Sequence, residues 1–485
     1  MNTFKSLNPE IVWTYFEQIC QVPRPSKKEE KIIKFLQDFG KKHNLETKVD
    51  KAGNVLIKKN ASKGNEKMKT VLLQSHMDMV CEKNNDTVFD FDNDSIIPFV
   101  SGEWVKAKGT TLGADDGIGM AAQMAILASN DIEHGAIECL FTVDEETGLT
   151  GAFALEEGFL NSDILLNLDS EDEGQIFIGC AGGVDTVATF DDESESVPSN
   201  HIAYRIDVKG LQGGHSGDEI HKGLGNSNKI LNRFLWENED HFELRLSVFD
   251  GGNLRNAIPR EAYAIVTVNE KLKNEFIAEF KKYSLSIKDE FSVTEPKMEL
   301  TINETSLPKN VIDENTQFNL FNSLYACPHG VYAWSAKMPG LVETSTNLAS
   351  VKFKNNKIEV TTSQRSSVNS AKEDIANMVE SVFTLAGADV KHGEGYPGWA
   401  PNPDSEILKI SVASYKKLFG NEPEVRAIHA GLECGLFLEK YPKLDMISFG
   451  PTIKGAHSPE ERINIKTVEM WWAHLLDILK LIPKK

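Results

Sequence analysis

A polar pair interrupts an apolar run in the stretch Leu72-Leu73-Gln74-Ser75-His76-Met77-Asp78-Met79-Val80. The apolar residues on both sides of the pair predict a buried strand. Side chains two residues apart in a strand point to the same face, so His76 and Asp78 should emerge together. A carboxylate behind a metal-binding imidazole fixes its tautomer and raises its basicity. The pair therefore indicates a candidate metal site, although a His-x-Asp triplet alone is more often a surface pair or a turn.

Helices and strands are predicted to alternate around this stretch. An amphipathic pattern over residues 9–20 predicts a first helix. Ser26 is expected to cap a second helix, with Glu29 three residues further on. Two short strands at residues 46–50 and 54–58 precede the central stretch. This alternation predicts the α/β fold class, with a mixed sheet flanked by helices.

Carboxylates follow three further predicted elements. A glycine-rich turn delivers Asp115 and Asp116 at the start of a helix over residues 118–129. A strand at 137–143 runs directly into Asp144-Glu145-Glu146, and a strand at 164–168 ends at Asp169. Open α/β sheets bind ligands at the carboxyl ends of their strands, so these groups could share a site. Acidic residues are also routine at a helix N-terminus, which leaves an ordinary structural interpretation of Asp115 open.

The middle of the chain has a different pattern from its two ends. An acidic, serine-bearing segment at residues 191–199 marks a plausible domain crossing. Mixed strands and helices then continue to about residue 391, after which the α/β pattern returns and leads to His457. We expect a catalytic domain split into 1–184 and 398–485, with an inserted α+β lid and dimerisation domain at 185–397.

Composition excludes several classes of protein. The formal net charge of −20 argues against nucleic acid and anionic membrane surfaces as partners. No Cys-x-x-Cys pair occurs among the six cysteines, which fits a reducing compartment better than a disulfide framework. The first residues lack the apolar core of a signal peptide, and no apolar run is long enough to span a bilayer. We expect a cytoplasmic protein without a membrane partner.

Taken together, the polar motifs resemble the M20 metallopeptidase family. Within that family they are most similar to the aminoacyl-histidine dipeptidases, which are cytosolic enzymes that cleave Xaa-His or carnosine-like dipeptides and often others. Many M20 members have Asp-x-Lys-Gly where this chain has Asp115-Asp116-Gly117-Ile118, as in the aminoacyl-histidine branch. The resemblance covers essentially the whole chain and rests on His76-x-Asp78, Gly113-Ala114-Asp115-Asp116-Gly117, Asp144-Glu145-Glu146-Thr147-Gly148, Asp169 and Gly455-Ala456-His457-Ser458.

The resemblance implies a pair of divalent metal ions, zinc first, with cobalt or manganese as alternatives. Imidazole and carboxylate ligands suit all three ions. The implied ligands are His76 and Asp169 for one ion, Glu146 and His457 for the other, and Asp115 for both. Asp78 would support His76, and Glu145 would be the general base that takes a proton from a water bridging the two ions.

The resemblance also implies residues that bind the substrate. His215, between glycines, matches the histidine that stabilises the oxyanion, although alone it is equally compatible with a turn. Asn256 and the backbone of Gly431 match positions that hold the dipeptide. Arg365 would grip the C-terminal carboxylate, with an ordinary surface ion pair as the alternative. Relatives are homodimers, so a homodimer is expected here.

These observations favour a dinuclear metallo-dipeptidase acting on Xaa-His dipeptides, with broader specificity left open. The enzymatic alternative is an M20-type deacylase that cuts N-acyl amino acids. A dipeptidase must accept a charged substrate amine, and a deacylase need not. The alternative from another class is a binding protein of the same fold without catalysis, but no expected ligand and no expected base is missing from the sequence.

Overall fold

The computed structural model describes residues 3–485, which divide into two compact units. The first unit comprises the residues up to Gly179 together with Pro401–Ala427 and Leu432–Lys485. The second comprises Cys180–Ala400 and Ile428–Gly431. The expected assignment of a catalytic role to one part of the chain and a lid role to the other stays a prediction.

Twelve α-helices occur within residues 3–485, and two short 3-10 helices lie at Ile220–Lys222 and Glu270–Leu272. The α-helices are α1 (Glu10–Cys20), α2 (Glu30–Lys42), α3 (Ala114–Ala128), α4 (Glu145–Gly148), α5 (Thr150–Ala154), α6 (Ser227–Asn238), α7 (Lys273–Glu290), α8 (Glu314–Ala326), α9 (Asn369–Leu385), α10 (Glu406–Phe419), α11 (Glu433–Lys440) and α12 (Ile465–Leu481).

The strands of the same residues form one large sheet in each unit and several small ones. They are β1 (Glu46–Val49), β2 (Val55–Lys59), β3 (Val71–His76), β4 (Pro98–Ser101), β5 (Trp104–Ala107), β6 (Ile137–Thr142), β7 (Ile164–Asn167), β8 (Gln175–Cys180), β9 (Gly182–Asp191), β10 (Ser194–Ser196), β11 (His201–Lys209), β12 (Gly214–His215), β13 (Arg245–Gly251), β14 (Ala257–Ile258), β15 (Ala262–Asn269), β16 (Glu299–Thr305), β17 (Asn310–Ile312), β18 (Gly330–Trp334), β19 (Val342–Lys354), β20 (Lys357–Ser366), β21 (Asp389–His392), β22 (Glu424–Ile428), β23 (Asp445–Ser448), β24 (Ile453–Lys454) and β25 (Arg462–Asn464).

The first unit is built on a mixed eight-stranded sheet in the order β1-β2-β6-β3-β7-β23-β8-β22. Its centre is parallel, since β3 pairs in parallel with both β6 and β7. Every residue of these three strands is buried, as expected for a parallel sheet covered on both faces. Helices α2, α3 and α10 pack against the sheet, so the predicted α/β class is confirmed.

Register places the carboxyl ends of the central strands side by side. His76, the last residue of β3, lies opposite Thr142, the last residue of β6. Gln74 lies opposite Asn167, the last residue of β7. The turns that follow β3, β6 and β7 therefore leave the same edge of the sheet.

The second unit has a nine-stranded sheet with the order β16-β11-β15-β13-β19-β20-β9-β21, while β18 pairs with β19. Helices α6 and α7 supply aromatic residues to its core, where the ring centroids of Phe234 and Phe276 lie 5.5 Å apart. Strand β20 lies between β19 and β9, so Arg365 has Ser345 as its cross-strand neighbour on one side and Gly183 on the other.

The predicted cap of the second helix is wrong. Helix α2 begins at Glu30, and Ser26 makes no cap bond to it. The Ser26 hydroxyl instead donates a hydrogen bond to Oδ2 of Asp78 at 2.8 Å. Glu29 also points away from the helix start, because its Oε1 accepts from the amides of Lys27 at 2.8 Å and Asp144 at 3.1 Å. Both side chains therefore support the turns after the central strands.

Helix α3 starts irregularly and is then buried on all sides. Asp115 and Asp116 have non-helical backbone angles, so regular helix begins at Gly117, close to the predicted start. All residues from Asp116 to Leu127 are buried, as expected for a helix that is apolar around its whole circumference. Within residues 3–485, no helix combines the length and the apolar character needed to cross a membrane.

Candidate functional site

Asp115 lies between two histidines, and each of its carboxylate oxygens contacts one of them. Oδ1 is 3.0 Å from Nε2 of His76, and Oδ2 is 3.2 Å from Nε2 of His457. His76 ends the central strand β3 and is buried, whereas His457 sits in the loop after β24 and is half exposed. A carboxylate shared in this way has the geometry of a bridging ligand between two cations.

Each histidine has a further carboxylate beside it. Oδ1 of Asp169, which follows β7, lies 3.4 Å from Nε2 of His76. Oε2 of Glu146, which follows β6, lies 3.0 Å from Nε2 of His457. In the groups His76–Asp115–Asp169 and Asp115–Glu146–His457, the candidate ligand atoms all lie within 4.8 Å of one another. The five residues predicted as metal ligands are therefore brought together, although their role as ligands stays a prediction.

Asp78 connects the histidine strand to the turn that carries the glutamates. Its Oδ1 lies 3.3 Å from Nδ1 of His76 and accepts from the amide of Glu145 at 3.1 Å. Its Oδ2 accepts from the amide of Glu146 at 3.3 Å. Burial opposes ionisation of this carboxyl, but the contact with His76 keeps the pKa of Asp78 below its usual value. The ionised carboxylate can thus fix both the imidazole and the two glutamates.

The electrostatics of the cluster follow from its burial. Burial raises the pKa of Glu145 well above its usual value, and it raises the pKa of Asp169 to about 7. Hydrogen bonds to Asp115 and Glu146 raise the pKa of His457 to about 11. Protons on these groups and bound cations are therefore alternative sources of positive charge for the clustered carboxylates.

The donor set fits divalent cations. Oε1 of Glu146 is buried and has no hydrogen-bond partner among residues 3–485, so this oxygen is free to bind an ion. An unsatisfied buried carboxylate oxygen is costly unless a cation or a donor compensates it. Two imidazoles and three carboxylates suit zinc, and equally cobalt or manganese, better than calcium or a soft metal.

Two supporting residues carry no motif and were missed in the sequence. The buried guanidinium of Arg24 donates to the backbone carbonyls of Met77 at 3.1 Å and Asp78 at 2.5 Å, and also to that of Gly113. The buried carboxylate of Glu461 accepts from four consecutive amides, those of Leu112 to Asp115, at 2.7 to 3.3 Å. These bonds fix the turn that presents Asp115. Contacts of this kind to distant backbone leave no periodic signal in a sequence.

A third missed residue, Glu433, lies beneath the cluster. Its Oε2 accepts from Nε2 of Gln74 at 2.5 Å and from the hydroxyl of Thr142 at 2.8 Å. Burial raises the pKa of this carboxyl to about 8. Glu433 lies two residues after Gly431, which the resemblance implied for the substrate, but no sequence pattern indicated its position under β3 and β6.

The four predicted substrate-binding residues belong to the second unit. Nδ1 of His215 accepts from the amides of Gly217 at 3.3 Å and Asp218 at 3.2 Å. The carbonyl of Asn256 accepts from the amide of Ser216 at 2.9 Å, so Asn256 lies beside the end of β12, which carries His215. Arg365 lies on β20, and Gly431 lies against the ring of Tyr396. Their binding of substrate stays a prediction.

Comparison with known proteins identifies the class to which this fold and site belong. The chain is a member of the peptidase family M20/M25/M40, whose family model matches residues 72–480. Membership of this metallopeptidase family implies divalent metal ions, in agreement with the histidine and carboxylate clusters.

Particular relatives are similar along the full length of the chain. The cytosol non-specific dipeptidase of Escherichia coli K12 is 42% identical over 485 residues, which is 100% of both chains. The crystal structure of an aminoacylhistidine dipeptidase from Vibrio alginolyticus superposes with a TM-score of 0.95 at 45% identity, covering 99% of this chain and 98% of that one. A tripeptidase from Staphylococcus aureus, at 18% identity and a TM-score of 0.56 over 98% and 99% of the chains, shares the fold.

Replacing Glu461 should test how the Asp115 turn is held. Glu461→Gln should lower the free energy of unfolding by about 1–3 kcal/mol. Four backbone amides now share the two oxygens of the carboxylate, and glutamine offers them only one acceptor oxygen. The substitution should also weaken metal binding, since the turn carries Asp115. Urea unfolding and metal titration measure the two effects.

The matched control for this change is Glu460→Gln. Glu460 is the exposed neighbour, with a side chain 76% accessible, and should affect neither quantity. Unchanged unfolding and metal affinity in Glu461→Gln would show that the turn does not depend on this carboxylate.

Proposed function

We propose that this chain is a dinuclear metallo-dipeptidase that hydrolyses Xaa-His dipeptides, carnosine-like ones included, and a broader range of dipeptides beside them. One observation carries the proposal. Asp115 places one carboxylate oxygen beside His76 and the other beside His457, and each histidine has a further carboxylate within 3.4 Å. The names of the two full-length relatives support a dipeptide as the substrate.

The chain would hold two divalent ions, zinc in the first instance. His76, Asp115 and Asp169 would bind one ion, and Asp115, Glu146 and His457 would bind the other. When bound, such ions acidify the attacking water and polarise the scissile carbonyl. The five side chains come from five different segments, so the fold itself has to bring them together.

Glu145 acts as the general base and then as the general acid. Its carboxylate accepts a proton from the attacking water and delivers that proton to the leaving amine. Burial raises the pKa of Glu145 above that of an ordinary glutamate, so its carboxyl holds a proton more readily. Asp78 orients His76 through Nδ1 and holds the amides of Glu145 and Glu146.

Four residues of the second unit bind the dipeptide. His215 donates a hydrogen bond to the oxyanion as charge develops there. Asn256 and the backbone of Gly431 hold the peptide, and Arg365 binds its C-terminal carboxylate. The first unit is accordingly the catalytic domain, and the second is the lid and dimerisation domain of a homodimer. We place the enzyme in the cytosol, as the name of the Escherichia coli relative says of that protein.

Metal removal and a substrate panel test the proposal directly. The metal-loaded protein should cleave a Xaa-His dipeptide and a Xaa-Gly dipeptide, and it should leave an N-acetyl amino acid intact. Activity should disappear on dialysis against a strong chelator and return with zinc, cobalt or manganese, because the carboxylates and imidazoles need an ion to act on a carbonyl. Full activity in chelator without detectable metal would refute a metal-dependent enzyme, and cleavage restricted to the N-acetyl amino acid would identify a deacylase.

The neighbouring glutamates should respond differently to the same substitution. Glu145→Gln keeps size and hydrogen bonding but cannot accept a proton, so turnover should fall by about 10²–10⁴ while both metals stay bound. Glu146→Gln should weaken one metal site, and added metal should restore part of the activity. Metal stoichiometry beside turnover of a Xaa-His dipeptide distinguishes the two. Loss of a metal from Glu145→Gln, with both retained by Glu146→Gln, would reverse the assigned roles.

Arg365→Ala should impair hydrolysis of free dipeptides far more than that of their C-terminal amides. Truncating a buried charge-assisted pair costs roughly 2–5 kcal/mol, and the amide has no carboxylate to lose. The measurement is kcat/KM for a matched dipeptide and dipeptide amide. Arg205→Ala, which removes a strand arginine of the same unit that pairs with Asp207, is the control. Equal losses on both substrates would assign Arg365 a structural role.

A further inference from the structure

The guanidinium of Arg365 is buried and incompletely paired. Its side chain is on β20, and the residue is 7% exposed. Among residues 3–485 the guanidinium donates one hydrogen bond, from Nη1 to the hydroxyl of Tyr396 at 2.9 Å. Within this same range the buried Nε has no hydrogen-bond partner. Because an unsatisfied buried donor is costly, the open Nε–Nη2 edge of the guanidinium points to an anionic ligand. The hydroxyl of Tyr396 sets the direction of this edge, since it holds Nη1.

Tyr396 is held in a fixed position by its backbone. Its amide donates to the carbonyl of Gly183 at 2.8 Å, and its carbonyl accepts from the amide of Gly183 at 3.1 Å. The same carbonyl accepts from Nζ of Lys372 at 2.6 Å. Three hydrogen bonds therefore anchor the main chain of a residue that lies outside the regular strands.

Two glycines make room for the ring. A Cβ atom on Gly183 would lie 2.8 Å from Cζ of Tyr396, and one on Gly431 would lie 2.8 Å from Cε2. At distances this short the ring would have to shift, so a side chain at either position would displace Tyr396. Gly183 is also the cross-strand neighbour of Arg365. The missing side chain thus lets the phenol enter beside β20 and reach the guanidinium.

We propose that Tyr396 is a positioning residue for the substrate clamp: its hydroxyl fixes the Arg365 guanidinium so that the Nε–Nη2 edge faces the C-terminal carboxylate of the dipeptide. This inference rests on the proposed dipeptidase function. It also gives Gly431 two roles. Its backbone contacts the substrate, and its lack of a side chain leaves room for the ring of Tyr396.

The test compares a free Xaa-His dipeptide with its C-terminal amide. In Tyr396→Phe, KM for the free dipeptide should rise about tenfold, since a hydrogen bond to a charged group is lost while the ring remains. The values of kcat on both substrates and of KM for the amide should stay within about twofold, because the altered edge meets only the carboxylate. Gly183→Ala, which pushes the ring away from Arg365, should raise the same KM.

Two further measurements separate positioning from general damage. Tyr283→Phe removes the hydroxyl of another buried tyrosine of this unit, one that donates to the carbonyl of Ile230, and should not change the ratio of free to amidated substrate. If Tyr396 acts through Arg365, the double variant Arg365→Ala/Tyr396→Phe should be no worse than Arg365→Ala alone.

The possible results are distinct. A selective rise in KM for the free dipeptide that vanishes in the Arg365→Ala background supports the positioning role. Equal effects of Tyr396→Phe on both substrates, effects additive with Arg365→Ala, or no effect at all would overturn it while leaving the dipeptidase intact. A wild-type protein that cleaves no free dipeptide would overturn the proposed function and this inference together.

Discussion

The first unit has to hold several carboxylates close together away from water, and much of its structure follows from that constraint. Burial raises the pKa values of Glu145 and Asp169, and the like charges beside them add to that shift. The fold opposes this tendency with backbone amides, which donate to Asp78 and Glu461. Because amides carry no net charge, they stabilise the supporting carboxylates without competing for the sites of cations.

The buried arginine Arg24 also leaves the carboxylates of the cluster free. Arg24 directs its guanidinium at three backbone carbonyls rather than at a carboxylate of the cluster. Its positive charge makes the local electrostatic potential less negative, and its hydrogen bonds tie the end of β3 to the turn before Asp115. A lysine or arginine paired directly with Asp115 or Glu146 would occupy oxygen atoms that a metal ion needs. The arrangement keeps those oxygens available while still compensating part of the buried charge.

Sequence patterns anticipated the parts of this site that depend on strand geometry. His76 and Asp78 were predicted to act together from their spacing, and the structure places Nδ1 of His76 3.3 Å from Asp78. The gathering of Glu146 and Asp169 was predicted from strand ends, because parallel strands deliver their carboxyl ends to one edge, and Asp115 was placed with them from a glycine-rich turn before a helix. Ser26 was assigned to a helix cap, since a local pattern favoured it, yet its hydroxyl bonds to Asp78, 52 residues away. Arg24 and Glu461 likewise act on distant backbone, which no local periodicity encodes.

Each unit buries a charged group whose hydrogen bonding is incomplete. The group is a carboxylate in the first unit and a guanidinium in the second. Among the described residues 3–485, a carboxylate oxygen of Glu146 in the first unit and the Nε of Arg365 in the second have no hydrogen-bond partner. Each deficit costs stability in the free protein and matches a ligand of the proposed reaction, a metal ion in one case and a substrate carboxylate in the other. A ligand that supplies the missing charge stabilises the folded chain by mass action. The chain therefore keeps these groups unsatisfied at the expense of its own stability, which is the pattern expected where selection has favoured binding over packing.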